Sequence, residues 1–139
     1  MDSPLTFYAK LLGLFAALIA LVGFNVAVWG LHRHPTPPAL YVPGASPERG
    51  RVLIQEHGCG ACHTVPGVRG AAGKVGPRLD RVKEQVYVAG VLPNTPQNLT
   101  FWISNPKKAD PRTAMPDLGV SEDDARDIAA YLYRLPLGR

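Results

Sequence analysis

The polar and apolar positions divide the chain into three stretches of different character. From Leu11 to Leu31 there are 21 residues without a charge, 17 of them apolar, interrupted only by Gly13, Gly23, Asn25 and Gly30. At about 1.5 Å of rise per residue, a helix of this length reaches about 31 Å, the thickness of a bilayer's hydrocarbon core. A signal peptide competes with this reading, but its apolar region normally spans about 7 to 15 residues. Val28-Trp29-Gly30 also offers no convincing small-x-small cleavage site. The run predicts an uncleaved transmembrane anchor over residues 1–31. Tyr8 and Trp29 near its ends suit the membrane interface, and Lys10 and Arg33 on its two sides leave almost no charge bias to orient it.

After the anchor the pattern dissolves. From His32 to Pro47 the chain reads HRHPTPPALYVPGASP, with prolines at 35, 37, 38, 43 and 47 and neither helical nor strand periodicity. Such a stretch favours extended polyproline conformation, about 3.1 Å per residue, so it could reach roughly 50 Å. It predicts a semi-rigid tether over residues 32–45 and a folded domain over 46–139.

Three helices are legible in that domain. Ser46-Pro47-Glu48 supplies a cap, a proline at the first helical position and an acid at the positive end of the dipole, opening a helix through Glu56 that stops at Gly58. Asn94-Thr95-Pro96 opens a second, with Leu99, Trp102 and Ile103 on one face and Pro106 closing it. Ser121-Glu122-Asp123-Asp124 is a capping box that starts a third, whose Ala125, Ile128, Ala129 and Leu132 fall at helical spacing. Between them lie glycine and proline clusters and no alternating run long enough for a sheet. The expectation is an all-α domain of short helices and long loops. Without the apolar run the remaining residues are only about 40% hydrophobic, lean for a core, and long loops in so small a domain call for a staple or a large buried cofactor.

The chemistry is concentrated in Cys59-Gly60-Ala61-Cys62-His63, which holds both cysteines of the chain. Two thiols three residues apart can each add to one vinyl group of a haem, and the adjacent histidine then lies under the iron. Zinc or dithiol chemistry shares the Cys-x-x-Cys spacing, but zinc would need two further ligands and a thioredoxin-like site a preceding strand. Met115, in Thr113-Ala114-Met115-Pro116, is the one methionine besides Met1, which stands beyond the anchor, and it is the candidate sixth ligand; otherwise it fills the core. His57, His32 and His34 are rivals, the first too near His63 along the chain and the others in the tether.

The domain resembles a class I cytochrome c over nearly all of residues 46–137. The likeness rests on the helix with Gly50, the 59–63 attachment motif, Gly76-Pro77-Arg78-Leu79, the Trp102 helix, Met115-Pro116 and Tyr131. The resemblance implies one haem c held by Cys59 and Cys62, with His63 and Met115 on the iron. It implies that the Pro77 carbonyl orients His63, that Gly50 faces Tyr131 where two helices cross, and that Trp102 contacts a haem propionate or only the core. The segment from Ala89 to Pro96, then Trp102, then Met115-Pro116-Asp117-Leu118, is similar to cytochrome c modules of bacterial haem-copper terminal oxidases. The oxidase's copper-binding domain is absent from this sequence.

A membrane-anchored electron carrier follows, taking electrons from a quinol-oxidising complex to a terminal oxidase, with its head on the outer face of a bacterial cytoplasmic membrane. The alternative is a fixed haem subunit of a larger oxidoreductase. No nucleophile–base pair suggests a substrate-transforming enzyme, and peroxidase-like chemistry would require loss of the Met115 ligand. The net charge of +4 is too mild for a nucleic-acid binder. Its distribution is uneven. From Arg49 to Lys83 seven bases (Arg49, Arg51, Arg69, Lys74, Arg78, Arg81, Lys83) face Glu56 and Asp80, which predicts either a basic ring steering toward acidic partners or an ordinary mixed surface.

Overall fold

The computed structural model describes residues 3–31 and 40–136, and of residues 29–31 the backbone alone. The readings placed on His32, Arg33, His34, the prolines at 35, 37 and 38, the Trp29 side chain and the last three residues lie outside the described set. The chain divides into two compact units, Met1–Pro38 and Ala39–Arg139.

The first unit is the helix α1, Pro4–Leu31, long and apolar enough from Pro4 to Val28 to cross a membrane. Its start is capped by Ser3, whose hydroxyl accepts the Thr6 N–H at 3.4 Å while Thr6 Oγ1 donates to the Ser3 carbonyl at 2.7 Å. The polar intruder, Asn25, turns its amide back on its own helix and donates to the Leu21 carbonyl at 3.0 Å. That answers part of its hydrogen-bonding need locally, the requirement any polar side chain faces in hydrocarbon.

In the second unit the helices α2 (Pro47–Glu56), α3 (Pro96–Ser104) and α5 (Glu122–Arg134) start at their expected caps. Ser46 accepts from the Arg49 N–H, Thr95 from Asn98 and Ser121 from Asp124, at 3.1–3.3 Å. Gly58, with φ of 69°, takes the left-handed turn that ends α2. Pro106 closes α3 and also opens a further short helix, α4 (Pro106–Ala109), beyond Asn105. A residue that lacks an N–H and fixes φ suits a first helical position as well as a stop. A two-stranded hairpin, β1 (Tyr87–Val88) with β2 (Leu92–Pro93), adds to the all-α expectation. Ala89 and Gly90 make its turn with φ of 50° and 76°, the paired positive values of a tight hairpin, and here a non-glycine residue occupies the left-handed region.

The core lies where α2 and α3 pack on α5. The α5 face read from spacing is fully enclosed: Ala125, Ile128, Ala129 and Leu132 are 0–3% exposed. They meet Leu53 and Ile54 of α2, Leu99 and Ile103 of α3, and Val65, Val68, Val82 and Val88 from the loops. On α3, Thr100 is the third buried residue, and Trp102 is half-buried against the core. Gly50 allows α2 to approach α5, but it meets the backbone of Asp127 and Ile128 and not Tyr131. Tyr131 lies one turn further along α5. Its hydroxyl needs a partner and donates to the Pro66 carbonyl at 2.8 Å, which sets its ring against Gly67.

Polar ties lock the same crossing. The buried Asp127 carboxylate accepts from the Ser46 N–H at 2.7 Å and from Arg49 Nη1 at 2.6 Å, while Arg49 Nη2 pairs with Asp124. On the other side, Tyr133 donates to Asn94 Oδ1 at 2.8 Å, and the Asn94 amide donates to the carbonyls of Val82 and Gln85. Burial pushes the Tyr133 phenol well above its ordinary value, so it remains a donor at neutral pH.

Candidate haem site

The site begins where α2 ends. After the left-handed Gly58 the chain makes a single 3-10 turn over Cys59–Ala61, and the Cys62 and His63 N–H groups both return to the Cys59 carbonyl, at 3.2 and 2.9 Å. Both cysteines are thereby placed on one turn as half-buried free thiols, and burial pushes the Cys59 thiol up.

The loop that follows is ordered against this turn. Gly73 N–H donates to the Gly60 carbonyl at 3.0 Å, Gly76 N–H to Cys62 at 2.8 Å, and Leu79 N–H to Thr64 at 3.0 Å. Thr64 Oγ1 adds a bond to the Gly73 carbonyl at 2.9 Å. The approach is so close that a Cβ on Gly73 would stand 2.4 Å from the Ala61 carbonyl oxygen, and one on Gly60 2.6 Å from the Ala71 Cα. The long loop therefore carries part of its own scaffold.

His63 is fixed from two sides. Its Nδ1 lies 2.7 Å from the Pro77 carbonyl oxygen, which only accepts, so Nδ1 carries the hydrogen and Nε2 keeps the lone pair a metal would use. Gly76 presses on the ring, since a Cβ there would fall 2.4 Å from His63 Cε1. Met115 is half-buried in the loop between α4 and α5, and its N–H bonds to Thr113 Oγ1 at 3.1 Å. Trp102 stands on α3. The fold brings Cys59, Cys62, His63, Gly76 and Pro77 into direct association, whereas Met115 stands in the loop before α5 and Trp102 on α3, packed against the core. The hydroxyl of Thr113 escaped the sequence reading, although a threonine two residues before an amide is a recognisable local capping signal.

The seven-base ring is smaller than a count along the chain suggests. Arg49 is occupied by Asp124 and Asp127, Arg78 by Asp80 at 2.7 Å, Arg81 by Glu84 at 2.6 Å, and Lys83 Nζ donates to the Leu135 carbonyl at 2.5 Å. Arg49 is answered by acids from distant sequence and Arg78 and Arg81 by acids two and three residues on, so Arg51, Arg69 and Lys74 are the exposed bases of that set without an ion pair among the described residues. Asp80 is 3% exposed, and the Arg78 guanidinium beside it holds its carboxyl below the usual carboxylate range. Among the described residues its Oδ1 has no hydrogen-bond partner.

Residues 47–136, with the attachment turn, the Pro77 contact and the Met115 loop inside that span, match the family model described as cytochrome c. The chain belongs to the cytochrome c family. Over 90 residues it is 37% identical to cytochrome c oxidase subunit 2 of Alkalihalophilus pseudofirmus, an alignment covering 63% of this chain. The chain spans only 25% of that relative's length. No solved structure matches it significantly.

As a cytochrome c, the domain is an electron-transfer haem protein, and the residues present suit that group. Two unpaired thiols on one turn suit covalent attachment, and the adjacent imidazole, with Nδ1 committed to Pro77, keeps Nε2 as an iron donor. Gly76 leaves no room for a side chain against the His63 ring. Among the described residues no cluster of His, Cys, Asp and Glu offers a competing metal site.

Proposed function

We propose that this protein is a membrane-anchored cytochrome with one haem c, carrying single electrons to a haem-copper terminal oxidase. Cys59 and Cys62 would hold the macrocycle as thioethers, and His63 Nε2 and Met115 Sδ would be the protein's ligands to the iron. The haem supplies reversible one-electron chemistry between ferrous and ferric iron. The protein's part would be to supply both of its iron ligands, exclude water and raise the potential through the Met115 thioether, which favours the ferrous form. The observation that carries this reading is the Cys59–His63 turn with its imidazole fixed by Pro77.

α1 serves as the anchor and residues 32–45 as the tether, with the head outside the cytoplasm, where the resemblance implies that haem c is attached. Tethering raises the local concentration of the head without any added contact strength. A quinol-oxidising complex is the donor. Trp102 contacts a haem propionate or serves only the core against which it packs, and Pro77 keeps the His63 tautomer.

Replacing Met115 by alanine tests the centre. The weak sulfur-to-iron charge-transfer band at the red edge of the ferric spectrum disappears and the reduction potential falls. Survival of that band in Met115→Ala would show that another group ligates the iron.

The likeness to an oxidase subunit favours a second reading, in which the head is a permanent part of a larger complex. Detergent solubilisation followed by size analysis separates the two. A mobile carrier elutes as a small particle, whereas co-migration with a large complex would establish the fixed subunit.

A further inference from the structure

Met115 is badly equipped to place its own sulfur. Its side chain has three rotatable bonds and a weak acceptor, so the position of the thioether depends on how firmly the backbone at Met115 is held. Little apolar burial is available for this: Pro111, Arg112, Ala114, Pro116, Asp117 and Leu118 are all exposed. Pro116 restricts the backbone of the residue before it but contributes no N–H of its own. What orders the loop is a short chain of hydrogen bonds that starts in a buried element. Pro106, fully enclosed at the start of α4, accepts the Asp110 N–H at 2.9 Å. Asp110 accepts the Thr113 N–H on its carbonyl at 3.1 Å and the Arg112 N–H on its carboxylate at 3.0 Å. The carbonyl of Thr113 is taken by Lys107 Nζ, reaching across from α4, and its hydroxyl accepts the Met115 N–H at 3.1 Å.

We propose that Thr113 is a positioning residue for the Met115 thioether, acting through the hydroxyl that accepts the Met115 N–H, and that Lys107 sets Thr113 by holding its carbonyl. This rests on the reading of Met115 as an iron ligand. All the polar backbone groups of Thr113 and its hydroxyl are engaged in this relay, which is the arrangement expected of a side chain whose work is orientation. Losing one neutral hydrogen bond costs about 0.5–1.5 kcal/mol, enough to loosen the ligand and too little to unfold the domain.

The test uses the full-length holoprotein in detergent and measures how tightly ferric protein binds imidazole, an exogenous ligand that must displace Met115. Thr113→Val keeps the shape and removes the acceptor; it is expected to raise imidazole affinity about three- to tenfold, weaken the thioether band and speed amide exchange at Met115. Thr113→Ser restores all three, and Lys107→Met shifts them in the same direction as Thr113→Val. Global unfolding of Lys107→Met by denaturant stays near wild type. If Thr113→Val yields no holoprotein, Lys107→Met at the surface decides the question by the same three readouts. Wild-type imidazole affinity in Thr113→Val and Lys107→Met overturns the proposal, as does an equal shift in Thr113→Val and Thr113→Ser, which would assign the effect to packing. Met115→Ala separates the two levels. If that variant binds imidazole with unchanged affinity, the ligand reading fails; if it binds far more tightly while Thr113→Val does not, only the positioning role fails.

Discussion

Gly50→Ala is expected to lower the thermal midpoint of the domain by roughly 8–16 °C, although it exchanges a poor helix former for the best one. Propensity alone would add about 1 kcal/mol to α2. Against this stands the α2–α5 crossing, where the new Cβ would lie 2.0 Å from the Asp127 carbonyl oxygen and 2.4 Å from its carbon. These are backbone atoms, so no side chain can rotate away and the helices must separate. Overpacking ordinarily costs about 1–3 kcal/mol, and a collision of this depth belongs at the upper end. The net loss of about 2 kcal/mol converts to the stated drop at about 4–8 °C per kcal/mol for a domain of this size. The separation also pulls Arg49 and the Ser46 N–H away from Asp127, a buried carboxylate that then lacks compensation. Melting followed by circular dichroism checks the result; a midpoint equal to wild type would mean that α2 and α5 do not cross at Gly50.

The second large effect is expected at the thiols. Cys59→Ser and Cys62→Ser should each reduce the yield of folded holoprotein at least roughly tenfold, corresponding to a loss of about 1.4 kcal/mol or more from the folded, haem-bearing state. The loop from 57 to 95 contributes mainly valines to the core, and its hydrogen bonds run back to the very turn that carries Cys59 and Cys62. Releasing one attachment frees the turn and, with it, the register of Gly73, Gly76 and Leu79 upon it. Haem stain on denaturing gels measures covalent attachment, and circular dichroism measures folding. A stably folded apo-domain in either variant would show that the protein scaffold suffices by itself.

The parts of this fold that could be read from the sequence are those determined by neighbours in the chain. Ser46, Thr95 and Ser121 announce their helices because a cap is a contact between residues three apart. The enclosed face of α5 follows from its 3.6-residue period in the same way. The hairpin at Tyr87–Pro93 gave too little signal: its strands are two residues each, and Ala89-Gly90 is not among the usual turn pairs. α4 is a single turn opened by the residue that ends its predecessor. The charge pattern left a basic ring and a mixed surface both open because sequence counts a base without its partner. Arg49 is neutralised by Asp127, 78 positions away, and Lys83 is spent on a carbonyl 52 positions away. The displacement of Tyr131 from Gly50 has the same origin, since which turn of α5 meets α2 is decided by packing between distant segments. Of the candidate site, the attachment motif and its histidine are legible as local sequence, and Met115 is proposed as the one suitable methionine. The Thr113 and Lys107 relay that holds the Met115 loop was not, because the reach of Lys107 Nζ to a loop carbonyl is a property of the folded loop.

The clamp on His63 has a consequence for speed. An imidazole pinned by the Pro77 carbonyl on one nitrogen and crowded by Gly76 along its ring edge would have almost nowhere to go when the iron we propose it ligates gains or loses charge. A donor whose surroundings are already arranged needs no rearrangement at the moment of reaction. With His63 as the proposed ligand, the proximal side would contribute little to the reorganisation that accompanies electron transfer, leaving the rate to the tunnelling gap, the solvent around the haem and the difference in potential between the two centres.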